Sequence, residues 1–243
     1  MVFLHYWGGS SRTWRHVVRA LAPDFRTVAV DQRGWGRSDK PDDGYDLASL
    51  AADAQGVVEA LGLTRYVLVG HSMGGKVAQL LASRRPPELV GLVLVAPSPP
   101  VPMNLPLEVR QVMVGAYASR DSIVATVELL AGRPLDADDL EAVVSDSLLG
   151  AAAAKAAWPL AASQEDIGSL VAAIAVPTLV ISGEADRVDP PAVLKQELLT
   201  RIPQARLSLL PGVGHLAPLE APGDVAGLIR KFVQSLQPAA VAR

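Results

Sequence analysis

Ser72 stands in Gly70-His71-Ser72-Met73-Gly74, a serine with a glycine two residues away on either side. The apolar run Val67-Leu68-Val69 precedes it, and a helical pattern of Met73, Lys76, Val77, Ala78, Leu80 and Leu81 follows it. A sharp turn from strand to helix with this spacing holds a serine hydroxyl up at the edge of a sheet. The glycines answer a steric need: the serine backbone is strained, and strand and helix must approach closely around it. The new helix also points its free N–H groups and positive dipole end at a reacting oxygen. Gly-x-Ser-x-Gly alone recurs by chance in glycine-rich connections. Its place between a strand and a helix is what gives it meaning here.

A serine hydroxyl is a poor nucleophile at neutral pH and needs a base within hydrogen-bond reach, itself oriented by a third group. The chain has four histidines. His16 falls in a helix and is expected to be exposed. His71 abuts the serine, so its ring should diverge from Ser72. His5 ends the first strand and is expected to hold the adjoining loop by hydrogen bonds. His215, in Gly212-Val213-Gly214-His215 after the last strand, is presented at the sheet edge and is the best base. The acid is expected to be Asp186, in a loop directly after a strand. Asp189, before Pro190-Pro191, is its rival, and its position suits a helix cap better. The order Ser72, Asp186, His215 is the serine–acid–histidine order expected of a nucleophile placed in this way.

The elements that must deliver these residues can be read in chain order. Apolar runs at 2–5, 26–30, 67–70, 92–96, 178–182 and 205–210 read as strands. Amphipathic helices are expected at 14–21, 47–61, 192–200 and 222–236, with the nucleophile helix running to about Arg85. Continuous apolar strands alternating with helices imply a parallel sheet covered on both faces, with working groups at the C-terminal strand ends. Between 98 and 173 the strand-like runs vanish. Helical patterns at 107–118, 120–130, 137–148 and 151–162 follow a stiff Pro-rich linker, and 166–173 reads as a helix returning to the sheet. Residues 1–97 and 174–236 are therefore expected to form one α/β core, 98–173 a helical insertion, and 237–243 a mobile tail.

The chain has 243 residues, half of hydrophobic type, enough for one large core without division into separate domains. The net charge of −3 comes from scattered charges of both signs, which argues against a nucleic-acid partner. Without cysteine, disulfide and thiolate chemistry are excluded and cytoplasmic residence is the expectation. The N-terminus has no signal-peptide pattern, and the Ala-rich stretch at 150–157 is too short to span a bilayer. No histidine and carboxylate cluster has metal-ligand spacing, so neither metal nor cofactor is expected.

Together, Leu4-His5-Tyr6-Trp7, Asp31-Gln32-Arg33-Gly34-Trp35-Gly36-Arg37-Ser38-Asp39, Gly70-His71-Ser72-Met73-Gly74-Gly75, Gly183-x-x-Asp186 and Gly214-His215 resemble the α/β-hydrolase fold superfamily. The likeness is to its group of esterases, lactonases, C–C hydrolases and haloperoxidase-like perhydrolases, and it spans nearly the whole chain. It implies a mostly parallel sheet flanked by helices, with 98–173 as a cap. It also implies an oxyanion hole made by the backbone N–H groups of Trp7 and Met73. Relatives carry His-Gly where this chain has His5-Tyr6. They also carry an antiparallel strand pair ahead of the first strand. That pair is missing here, so the expectation is a shortened form or a start upstream of Met1, with the 26–30 strand an unprotected edge.

The expected function is a serine hydrolase acting on a small, largely apolar carboxylic ester or lactone, as a monomer or homodimer. Trp158, Val188 and Leu216 are expected to wall the substrate pocket. The cap sequence holds no ordered cationic clamp, which disfavours a dianionic substrate. Perhydrolase or C–C hydrolase chemistry on the same residues is the first alternative. The second is a ligand-binding signalling protein of the same fold.

Overall fold

The computed structural model describes residues 1–236; the tail expected at 237–243 lies outside them. Six strands form one sheet: β1 (Val2–Leu4), β2 (Val28–Val30), β3 (Tyr66–His71), β4 (Leu89–Val95), β5 (Thr178–Gly183) and β6 (Ala205–Leu210). Their order is β2-β1-β3-β4-β5-β6, and every pair is parallel. Phe3, Val69, Val93, Leu179 and Arg206 lie in one row of the register.

Successive residues of a strand face opposite sides, so an apolar run feeds two cores at once. Leu4, Leu68, Leu92, Leu94 and Val180 pack into the larger core, under α2 (Leu47–Ala60) and α3 (Met73–Ser83). Phe3, Val67, Val69, Val93, Leu179 and Ile181 face the second, covered by α1 (Arg15–Leu21) and α10 (Pro222–Ser235). Asp46 caps α2 by accepting from the Ser49 N–H, and Gly62, at φ +57°, follows its C-terminus.

Between β4 and β5 stand four helices and no strand: α4 (Leu107–Met113), α5 (Arg120–Leu130), α6 (Ala137–Leu149) and α7 (Ala152–Leu160). Ser119 and Ser122 close a reciprocal capping box at the start of α5. After β5 come α8 (Pro191–Leu194) and the short α9 (Ala217–Glu220).

Several expectations change, and β4 starts three residues before the expected 92. The helix expected at 166–173 is only a 3-10 turn, Val171–Ala173. The Asp166 carboxylate accepts from the Gly168 N–H at 2.8 Å, a local turn that competes with helix formation beside a poor helix former. The helix expected at 192–200 is α8 prolonged by one π-helical segment, Lys195–Leu199. The strand expected at 26–30 shrinks to the three half-buried residues of β2, at the sheet edge. Among the described residues, no helix is long and apolar enough to cross a membrane.

Candidate active site

β3 ends at His71 and α3 begins at Met73, leaving Ser72 alone in the turn at φ +51°, ψ −117°. A residue with a Cβ adopts positive φ at a cost, so the surroundings must hold it there. They do so through the backbone: the Ser72 N–H donates to Val95 O at 3.2 Å, and Ser72 O accepts from the N–H groups of Lys76 and Ser98 at 3.0 and 3.1 Å. At Gly70 an added Cβ would run into the Gly74 carbonyl, and at Gly74 it would fall 2.6 Å from the carbonyl oxygens of both Leu4 and His5. Gly74→Ala therefore pushes α3 off β1 and is expected to cost about 1–3 kcal/mol. Thermal unfolding should show this as a lowered Tm; an unchanged Tm would mean that α3 can shift freely.

The structure brings Ser72, His215 and Asp186 together, all three buried. The Ser72 hydroxyl donates to His215 Nε2 at 2.8 Å, and His215 Nδ1 donates to Asp186 Oδ2 at 2.9 Å. Asp186 Oδ1 is held in turn by the N–H groups of Val188 and Asp189, at 2.8 and 3.1 Å. Burial lowers the His215 pKa, but the charge of Asp186 and its hydrogen bond, with the charges of Asp189 and Glu220, together outweigh this and hold it above the ordinary 6.5.

The loop that carries the histidine has a support that the sequence reading missed. Glu220 accepts from the N–H groups of Gly214 and Leu216, at 2.8 and 2.9 Å, and of Gly132 at 2.9 Å. The His215 N–H donates to Leu130 O at 2.8 Å, so α5 also fixes this turn. A carboxylate in the short α9, five residues after the histidine, was the one available signal.

The other histidines take separate places. His71 turns away from Ser72 and donates through Nε2 to the His215 carbonyl at 2.7 Å. His5 donates to Tyr6 O at 2.7 Å and accepts from the Gln32 N–H at 3.1 Å, tying β1 to the loop after β2. Burial pushes its pKa down to about 4. His16 is not simply exposed: its Nε2 meets Asp139 of α6 at 2.8 Å. Arg15 also pairs with Asp139, and Arg12 with Asp146 at 2.6 Å, so charges sewn along α6 hold the inserted helices to the core.

Asp189 corrects its expected role. Pro190 occupies the N-cap position of α8, and the Asp189 side chain caps nothing. It is buried and faces a cavity of about 680 Å³ that opens over Ser72 and His215. Trp7, Trp158 and Val188 line this cavity. Leu216 does not. It precedes α9 as its N-cap residue and is fully buried in the larger core. The sequence reading also passed over Lys76, which lines the cavity although it sits in an otherwise apolar stretch of α3.

Met73 is the first residue of α3, where an N–H has no intrahelical partner. The Trp7 N–H makes no hydrogen bond among the described residues. Both residues border the same strand ends as Ser72. The Trp7 loop is fastened from above: the Tyr117 hydroxyl donates to Trp7 O at 2.8 Å, and the two rings meet edge-on with centroids 4.5 Å apart.

A model of the alpha/beta hydrolase family matches residues 1–228. The chain is 32% identical over 232 residues to a non-heme haloperoxidase of Rhodococcus erythropolis, covering 88% of this chain and 85% of the relative. It is 30% identical over 254 residues to a bifunctional esterase/perhydrolase of Acinetobacter calcoaceticus, covering 97% and 92%. An esterase from Exiguobacterium antarcticum superimposes with a TM-score of 0.88 over 96% of this chain and 91% of that one, at 23% identity.

Proposed function

The chain belongs to the alpha/beta hydrolase family, and from that premise we propose that it is a serine hydrolase cleaving a small, largely apolar carboxylic ester or lactone through an acyl-enzyme. The observation that carries the proposal is the hydrogen-bond chain from the Ser72 hydroxyl through His215 to Asp186. In it, a neutral imidazole held with its proton on Nδ1 presents a lone pair at Nε2 to the hydroxyl.

Ser72 Oγ attacks the ester carbonyl as its proton passes to His215 Nε2. The carbonyl oxygen becomes an oxyanion, stabilised by the N–H groups of Trp7 and Met73. One such donor is typically worth about 3–4 kcal/mol. Collapse expels the alcohol, which takes the proton back from His215. Water then attacks the acyl-serine, its proton going to His215, and the acid leaves with Ser72 restored. The inserted helices α4–α7 serve as a cap that limits water, with Trp158 and Val188 as walls and Trp7 narrowing the pocket.

Acid-quenched intact-mass analysis during turnover of a p-nitrophenyl ester tests this. One acyl group added on the peptide that contains Ser72 is the expected result. Continued turnover with no adduct in the wild type and undiminished rate in Ser72→Ala would sink the proposal. Multiple turnovers per protein also count against a ligand-binding role.

The names of the relatives favour one second reading. A chain similar to a haloperoxidase and to an esterase/perhydrolase can let hydrogen peroxide replace water as the nucleophile. The acyl group then leaves as a peracid and Ser72 is restored. Peroxide-dependent peracid formation exceeding hydrolysis of the same ester would select that reading.

The Tyr117 contact yields a further expected outcome. Tyr117→Phe removes the hydroxyl that fixes Trp7 O and loosens the loop that presents the Trp7 N–H. A kcat lower by between about 10- and 100-fold, with KM little changed, is expected from steady-state kinetics. A rise in KM alone would place Tyr117 in substrate binding instead.

A further inference from the structure

Lys76 and Asp189 are ionisable groups in the cavity with no place in the chemistry above. Lys76 lies four residues after Ser72, in the first turn of α3, and both line the cavity. It is 1% exposed, and its ammonium donates to Val101 O at 2.9 Å and Ser163 O at 3.2 Å. An ammonium has three donors, and the third has no partner among the described residues. Asp189, 7% exposed, accepts only a long hydrogen bond to its Oδ2, from the Ser98 hydroxyl at 3.4 Å. Its Oδ1 has no partner among the described residues. Lys76, Ser98 and Asp189 all line the cavity, yet Lys76 and Asp189 form no ion pair.

Burying two incompletely paired charges is costly. Burial pushes the Asp189 carboxyl up to about 7 and the Lys76 ammonium down to about 8. The other charged groups around them are engaged. Glu165 accepts from the Leu47 N–H, and Asp166 from the Gly168 N–H. At the cavity rim Arg187 donates to the carbonyls of Glu128 and Ala131, and Glu197 pairs with Arg201. A free donor and a free acceptor are therefore left facing the same space beside the nucleophile.

We propose that Lys76, Asp189 and Ser98 form a polar subsite for a neutral hydroxyl group, so that the preferred substrates are hydroxylated esters or lactones rather than purely aliphatic ones. The inference rests on the hydrolase reading of this cavity and narrows its substrate class. A hydroxyl accepts from the Lys76 ammonium and donates to the Asp189 carboxylate at the same time. A carboxylate on the substrate would meet Asp189, and an ammonium would meet Lys76. The remaining walls are apolar, which suits the carbon chain on either side of the hydroxyl.

The test compares methyl hexanoate with methyl 3-hydroxyhexanoate, methyl 6-hydroxyhexanoate and 3-hydroxypropyl hexanoate, in the wild type, Lys76→Met and Asp189→Asn. The readout is the ratio of kcat/KM for the hydroxylated over the plain ester. A site built to hydrogen-bond a substrate hydroxyl discriminates strongly, and a ratio of at least about 10 for one analogue is expected, falling toward 1 in both variants. Wild-type ratios near 1 for every analogue, or a ratio that survives both substitutions, would overturn the proposal.

Calorimetric titration of the same esters into Ser72→Ala reads the subsite without turnover. A binding preference for a hydroxylated ester in a protein whose wild type hydrolyses none of them would overturn the hydrolase reading and leave the subsite standing. Equal binding of all four esters would overturn the subsite. Lys76→Met also frees two carbonyls; should it fail to fold, Asp189→Asn, which keeps the shape of the side chain, decides alone.

Discussion

Ser72→Ala is expected to lower kcat toward a p-nitrophenyl ester by on the order of 10⁶, as in triads generally. Converted at 1.36 kcal/mol per decade, that is about 8 kcal/mol of transition-state stabilisation. The loss is this large because the remaining parts act on a nucleophile that is no longer there. His215 has only water to activate, and the oxyanion donors have no serine-bound intermediate to hold. The fold should survive, because the strained backbone at residue 72 is fixed by main-chain hydrogen bonds to Val95, Lys76 and Ser98, and the hydroxyl caps nothing. The measurement is steady-state hydrolysis alongside thermal unfolding of both proteins. Equal turnover by the two would remove Ser72 from the chemistry, whereas a collapsed Tm in the variant would show that the side chain supports the turn.

Asp186→Asn is expected to cost on the order of 10⁴ in kcat while the geometry stays intact. Val188 and Asp189 both donate N–H groups to Oδ1, so the amide oxygen of the asparagine must take that place. Its NH₂ then faces His215 Nδ1, where it can only donate. Nδ1 becomes an acceptor, the proton moves to Nε2, and the imidazole can no longer accept from the Ser72 hydroxyl.

The pH dependence follows from the same contact. His215 must be neutral to act as base, so activity rises as pH rises through its pKa. Burial lowers that pKa, and the Asp186 charge and hydrogen bond, with the charges of Asp189 and Glu220, raise it by more, so the acidic limb of kcat/KM in the wild type lies above pH 6.5. Removing the Asp186 charge takes away the largest raising influence, and the limb in Asp186→Asn should move to lower pH. A limb that does not move would mean that another group is being titrated.

The strand-to-helix turn at Ser72 was legible because local sterics demand it. Gly70 and Gly74 leave room where carbonyls of α3 and β1 pass, and the apolar run before them changes period to helical just after. The strands were legible as continuous apolar runs, and β1, β3 and β5 sit within a residue or two of where they were expected. Segments that rely on local competition were not. At 166–173 the Asp166 turn wins over the helix, and around Lys195 the helix widens to a π turn, which periodicity does not register.

Chain order and loop composition also pointed to Ser72, Asp186 and His215, because each must follow a strand of a parallel sheet. Around them, partners far apart in sequence were decided by packing alone. Glu220 gathers three N–H groups because α9 folds back under the histidine turn. Asp189 faces the cavity because the proline that follows it takes the cap position it was expected to hold. His16 finds Asp139 across 123 positions, and Leu216 is taken up by the larger core.

The sequence by itself determined the turn that exposes Ser72, the alternation of strands and helices, and the chain order of Ser72, Asp186 and His215. Spacing and side-chain type within a few residues are sufficient for these. Tertiary structure alone decided which polar groups are dry and which remain partnered. Lys76 and Asp189 become the two poles of one cavity only when α3, the loop after β5 and the inserted helices close around it. Burial is a property of the whole packed chain, and burial is what turns an ordinary lysine and aspartate into groups that can select a substrate.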